Sequence, residues 1–130
     1  MRVVYYLATT SKLALTYGRF KEESGFYGTC DASHGSEHGS KGVTGWAFHL
    51  AGGAVAWKAR TQSLVALSST EAELIAVDEA ARELRYLEKV LADLGIKAPR
   101  PTPIGQDNLS ACTLVGSTHF NPRSRHIALR

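Results

Sequence analysis

The chain has little of several things, and each shortage excludes something. Only two cysteines occur in 130 residues, Cys30 and Cys112, far apart and each in a segment that reads as core. That usage argues against a disulfide-stapled scaffold and for buried thiols in a reducing compartment. No apolar run approaches the roughly 20 residues that a membrane span requires. The start, Met1-Arg2-Val3-Val4-Tyr5-Tyr6-Leu7-Ala8, faintly resembles a signal peptide, but Thr9-Thr10-Ser11-Lys12 follows instead of a cleavage site. It reads as the end of an amphipathic helix. No repeat or low-complexity tract is present, and no acid follows Asp107.

What remains is an ordinary globular composition, 44% apolar and 21% charged, at one domain's length. A chain of this size can bury roughly two-thirds of its unfolded surface. The net charge of +3 is unevenly spread. Residues 68–94 carry seven acids against three bases, a balance of −4 that leaves +7 for the rest. A basic surround of this kind is a common footprint of polyanion binding, and is also frequent on proteins that bind nothing.

Alternation predicts a short strand over Lys12–Tyr17, a charged turn over Gly18–Gly25 and a strand over Phe26–Ser33. In that strand Phe26, Gly28, Cys30 and Ala32 face one way. A glycine-rich loop with His34 and His38 follows. Val43–Leu50 and Ala54–Ala59 then form a hairpin joined at Gly52-Gly53, and Arg60-Thr61-Gln62-Ser63 is a polar link. Trp46 and Trp57 both read as core residues. Cys30, His34 and His38 are evenly spaced, but a Gly/Ser loop without a second ligand pair is poor zinc scaffolding.

A long helix comes next. Ser68 and Glu71 make a capping box, which gives Glu71 a structural role. From Glu73 onward, Val77, Ala80, Leu84, Leu87, Leu91 and Leu94 recur at steps of four and three, the period of a buried face. Glu71 falls on the opposite side, in line with Asp78, Arg82, Arg85 and Lys89. Gly95 stops the helix, Pro99, Pro101 and Pro103 mark a connection, Ile104–Asp107 is a short strand, and Asn108–Gly116 a short helix. From Ser117 to Arg130 the tail is basic and irregular. Strands, helix, strand and helix in this order predict one mixed α/β fold.

A carboxylate that opens an apolar stripe needs a partner, and a metal ion can keep it charged. Asp31 near one strand end and Asp107 at another would meet Glu73 where sheet and helix converge. Three acids there favour a hard divalent ion, Mg²⁺ or Mn²⁺, over zinc. Two such ions suit phosphodiester hydrolysis. Each acid also has a plainer reading: Asp107 as a helix cap, Asp31 as a turn residue, Glu73 paired with a base.

The run Val65-Ala66-Leu67-Ser68-Ser69-Thr70-Glu71-Ala72-Glu73-Leu74 resembles the ribonuclease H domain of copia-type retrotransposon polyproteins. Cys30-Asp31-Ala32, Thr44-Gly45-Trp46, Trp57-Lys58, Gln106-Asp107-Asn108-Leu109-Ser110 and Arg123-Ser124-Arg125-His126-Ile127 resemble further family motifs in the right order. Tyr5-Tyr6-Leu7 with Leu13-Ala14-Leu15-Thr16-Tyr17 resembles the connection after the reverse transcriptase. The resemblance implies that residues 1–24 end that connection and residues 25–130 form a ribonuclease H-like domain. Its mixed sheet would have antiparallel hairpin strands and then a parallel strand, with a long helix packed on it. The catalytic, metal-binding acids would be Asp31, Glu73 and Asp107, holding two Mg²⁺ or Mn²⁺ ions with Asp31 as the bridge. The reaction would be endonucleolytic hydrolysis of the RNA strand of an RNA–DNA hybrid. Ser69, Thr70 and Asn108 would meet the hybrid, and Lys41, Lys58, Arg123 and Arg125 its backbone. The partners implied are the hybrid and the rest of the polyprotein, including reverse transcriptase and integrase, with no membrane. The setting implied is a cytoplasmic virus-like particle, or the nucleus.

The family pattern continues into a last strand and a helix bearing a fourth acid, both expected to be missing here, and further acids usually follow the first Asp-Ala pair. The chain alone is therefore expected to have weak or no activity. Two alternatives stand beside the nuclease. A strand-transfer enzyme of the same general fold fits less well, because the middle acid lies on the helix after a hairpin. A decayed module would bind hybrid or partner protein without cleaving.

Overall fold

The computed structural model describes residues 2–18, 25–35 and 40–116. Its elements run α1 (Arg2–Thr9), β1 (Tyr27–Ser33), β2 (Val43–Leu50), β3 (Gly53–Thr61), α2 (Ser69–Asp93), β4 (Ile104–Gly105) and α3 (Leu109–Gly116). The four strands form one sheet in the order β3-β2-β1-β4. β1, β2 and β3 are antiparallel neighbours, and β4 returns parallel to β1, pairing Gly28 with Ile104 and Thr29 with Gly105. A parallel return needs a crossover, and α2 supplies it. The result is the mixed α/β sheet that the element order implies. Among the described residues no helix is long and apolar enough to cross a membrane.

Alternation sorts the sheet into two faces. Phe26, Cys30, Trp46 and Phe48 are buried and join Ala80 and Leu91 of α2 in the core. Phe48 is fully buried, between the rings of Phe26 and Trp46 at centroid distances of 5.8 and 5.7 Å. Burying such a ring stabilises the fold by roughly 2–3 kcal/mol. Gly28 is required beneath it, since a Cβ there would lie 2.5 Å from the Phe48 ring. The helix side of this interface is lined by Ala72, Ala76 and Ala80, none with exposed surface. Small residues four apart let the helix axis come close to the sheet.

Several expectations need correction. Lys12–Tyr17 is not a strand. Its Leu13 and Leu15 are exposed, and it is held at its end, where the Tyr17 hydroxyl donates to the Ala54 carbonyl (2.6 Å) and the Gly18 N–H to the Ala51 carbonyl (3.2 Å). α1 is a helix as expected, but none of its residues is buried. The hairpin turns at Ala51-Gly52, one residue earlier than expected, because these two have positive φ (52° and 80°) and Leu50 pairs with Gly53. That is the backbone a tight two-residue hairpin demands. Trp57 is not core: it pairs with Ala47 on the face away from α2 and is 62% exposed. Leu94 is the helix C-cap and exposed rather than the end of the buried stripe. Gly95 does stop the helix, with positive φ and its N–H on the Ala92 carbonyl, while the Ile96 N–H reaches Leu91.

The polar link is also more than a link. Arg60 and Thr61 belong to β3, and the Arg60 guanidinium bonds both Glu79 oxygens at 2.9 and 2.7 Å. Gln62 is buried; its Nε2 donates to Thr44 Oγ1 (3.0 Å) and the Ala72 carbonyl (2.9 Å), tying β2 to the start of α2.

Candidate metal centre

The first turns of α2 carry two buried glutamates with different surroundings. Ser68 caps the helix, its Oγ accepting the Glu71 N–H at 3.1 Å. Glu71 is not on an exposed face with Asp78 and Arg82, as the helical wheel suggests; it is buried, and its Oε2 accepts the Leu67 N–H at 2.7 Å. Its role at the cap stands, but its carboxylate reaches one residue beyond Ser68. Glu73, two residues on, turns to the opposite flank and faces the end of β1.

There it meets the two aspartates. Asp31, Glu73 and Asp107 each bring one carboxylate oxygen into a group within 4.8 Å of one another; Glu73 is buried and both aspartates are exposed. Asp31 sits in β1 two residues from its end. Asp107 does not end a strand, since β4 stops at Gly105; it lies in the short link to α3. Nor is it the cap of α3, because Asn108 Oδ1 accepts the Ala111 N–H at 3.0 Å. The plainer reading of Asp107 thus passes to Asn108, leaving the Asp107 carboxylate free for the cluster.

Burial pushes the Glu73 carboxyl above the ordinary glutamate range, and the charges of Asp31 and Asp107 add to the rise. Hydrogen bonds from Gln106 and the Ala32 N–H oppose it. Next to the acids, burial and the same three carboxylates, together with Cys112, push the Cys30 thiol up to about 11. The Cys30 Sγ is turned to the Gly105 carbonyl (3.8 Å) and is not among the side chains grouped at the site. The donor set is therefore three carboxylates, all hard oxygen, which fits Mg²⁺ or Mn²⁺. Crowded anions of this kind are neutralised well by a divalent cation.

Among the other candidates, Ser69 is exposed and Thr70 half-buried on the first turn of α2, near Glu73 in sequence. Lys41 and Lys58 are exposed, Lys41 before β2 and Lys58 on β3. Arg123 and Arg125 lie outside the described residues, as does His38. Gln106, which the sequence marks only as a neighbour of Asp107, joins the site. Its carboxamide bonds Glu73 Oε2 (2.8 Å) with Nε2, while its Oε1 accepts the N–H groups of Asp107 (2.7 Å) and Asn108 (3.2 Å). Only its place beside Asp107 signalled it.

No protein-family model matches the chain, and no solved structure matches it. The chain is 32% identical, over 98% of its length, to the retrovirus-related Pol polyprotein from transposon TNT 1-94 of Nicotiana tabacum, covering 10% of that polyprotein. Over 67% of its length it is 33% identical to the corresponding polyprotein from transposon RE1 of Arabidopsis thaliana, covering 6% of it. It is also 37% identical, over 66% of its length, to the secreted RxLR effector protein 161 of Plasmopara viticola, covering 61% of that protein. Its homologues thus include retrovirus-related Pol polyproteins from plant transposons, and it spans a tenth or less of their length.

Proposed function

We propose that this chain is a ribonuclease H-like segment of a retrotransposon Pol polyprotein, hydrolysing the RNA strand of RNA–DNA hybrids with divalent metal. The observation that carries the proposal is the meeting of one oxygen each from Asp31, Glu73 and Asp107 within 4.8 Å. Homology to retrovirus-related Pol polyproteins supports the setting, in which a hybrid arises during reverse transcription.

Asp31, Glu73 and Asp107 would hold the metal, with Asp31 and Asp107 accessible from solvent and Glu73 closing the inner side. Bound divalent ions supply an activated water and stabilise the leaving oxygen of the phosphodiester. Glu73, set in a partly desolvated place, favours binding a cation over remaining a free anion. Ser69 and Thr70, a turn before Glu73, offer hydroxyls toward a ribose 2′-hydroxyl, the group that separates RNA from DNA. Lys41 and Lys58 contribute charge for backbone phosphates without sequence preference.

The test is incubation of the chain with an end-labelled hybrid and Mg²⁺ or Mn²⁺. Slow RNA-strand cleavage that Asp31→Asn abolishes supports the proposal; cleavage that survives this change, or chelation, refutes it. A second reading, a module that binds hybrid or a partner protein without cleaving, draws on the likeness to an RxLR effector, a protein not named as a polyprotein. Hybrid binding with no metal-dependent turnover would favour it.

A further inference from the structure

We infer that Gln106 is a positioning residue for the acids of the metal centre, an inference that rests on the metal-binding reading above. Its side chain works from both ends. Nε2 donates to Glu73 Oε2 at 2.8 Å, and Oε1 accepts the backbone N–H groups of Asp107 at 2.7 Å and Asn108 at 3.2 Å. One amide thus joins the acid on α2 to the backbone that carries the acid after β4, two segments 33 residues apart in sequence. The Gln106 backbone is held as well: its carbonyl accepts the Cys112 thiol of α3 at 3.7 Å, and Asn108 is engaged in capping that helix.

The chemistry of the amide suits the place. A donor facing Glu73 is needed to hold a buried carboxylate in one orientation. A lysine or arginine there would neutralise the acid and compete with a cation, and a carboxylate would add a further charge to a crowded group. A carboxamide orients one oxygen of Glu73 while leaving its negative charge in place. Groups that orient metal-binding side chains in this way typically change metal affinity about 10–100-fold when removed.

The competing role is structural only, an amide that ties the link before α3 onto α2. Mn²⁺ titration of the 130-residue chain, followed by water-proton relaxation and by the Mn²⁺ electron-spin-resonance signal, separates the two. Gln106→Met keeps the length and apolar stem but loses both sets of hydrogen bonds, and Gln106→Ala removes the side chain. Thr102→Val is the control; it breaks a bond to Glu88 (2.9 Å) in the same connection, away from the acids. Melting of each variant in chelator reports the metal-free fold. Both Gln106 variants should weaken Mn²⁺ binding about 10-fold or more, while Thr102→Val binds as the parent does. If the Gln106 variants lose thermal stability but bind Mn²⁺ with the parent's Kd, the inference is overturned and the metal centre stands. If the parent chain itself gives no relaxation change at millimolar Mn²⁺, the metal-binding reading fails first and takes the inference with it.

Discussion

Glu71 and Glu73 are two residues apart, on the same turns of the same helix, and both are buried. Their surroundings make them chemically different. Glu71 lies over the preceding loop, where the Leu67 N–H gives it a partner and its charge completes a helix cap. Glu73 lies over the end of β1 among like charges, with donors from the Gln106 amide and the Ala32 N–H and no basic side chain bonded to it among the described residues. An anion at a helix N-terminus is stabilised by backbone donors and the helix dipole. An anion facing two others is opposed by their charge whatever donors it keeps, and such a site gains most from a cation. Burial alone therefore does not separate a structural acid from a candidate ligand; the sign of the neighbouring groups does.

The largest test of this contrast is activity. Glu73→Gln is expected to lower metal-dependent hybrid cleavage on the order of 100-fold or more, because it removes a ligand charge. Glu71→Gln, whose amide oxygen can still accept the Leu67 N–H, should leave the rate close to the parent's in the same assay. Equal losses would dissolve the distinction.

Stability should reverse the ranking. Glu71→Ala is expected to cost about 1–2 kcal/mol in urea unfolding, the range for a lost helix cap. Glu73→Gln in chelator should cost less, and can raise stability by relieving repulsion.

A pH series gives a smaller but more specific signal. The Glu73 pKa is raised in the folded protein, so the folded state holds its proton more tightly than the unfolded chain does. Its contribution to metal-free stability is then fully present below the unfolded glutamate pKa and is lost as pH rises through the folded value. Chelated protein should lose stability across that window, and Glu73→Gln should flatten the loss. Excess Mn²⁺ should oppose it by binding the ionised form. A slope unchanged in Glu73→Gln would assign the effect to another group.

The smallest effect concerns the outer flank of the same turn. Ser69→Ala is expected to weaken hybrid binding by up to about 1 kcal/mol, a single exposed hydrogen bond, without altering Mn²⁺ affinity. Fluorescence anisotropy with a labelled hybrid, set beside a duplex DNA of equal length, measures it. An equal loss on duplex DNA would argue that Ser69 does not read the 2′-hydroxyl.

Where local rules act alone, the sequence was readable. The strand Val43–Leu50, the Ser68 cap and the Gly95 stop follow from alternation, side-chain capping and positive φ, all settled within a few residues. Failures came where neighbours decide. Leu13, Leu15 and Tyr17 alternate like a strand, yet among the described residues no partner forms a ladder with them. Trp57 has a core residue's side chain but faces away from α2, and alternation does not say which face a helix will cover. Asp107 and Asn108 are both good caps, and only the path of the chain before α3 chose Asn108. Gln62, in what reads as a polar link, and Gln106, in what reads as a short strand, have amide partners in other elements that no local pattern signals.

By itself the sequence determined the inventory: an acid at the head of an apolar helical stripe and two aspartates near strand ends. It also determined the local elements, since helix and strand periods are set by backbone geometry over a few residues. Only the tertiary structure decided that residues 31, 73 and 107 share one small volume. That meeting requires β4 to return parallel beside β1 while α2 crosses over them, and it is long-range packing of Phe48 and the α2 alanines that holds this arrangement. The same packing turned Glu73 toward the aspartates and left Glu71 to the cap.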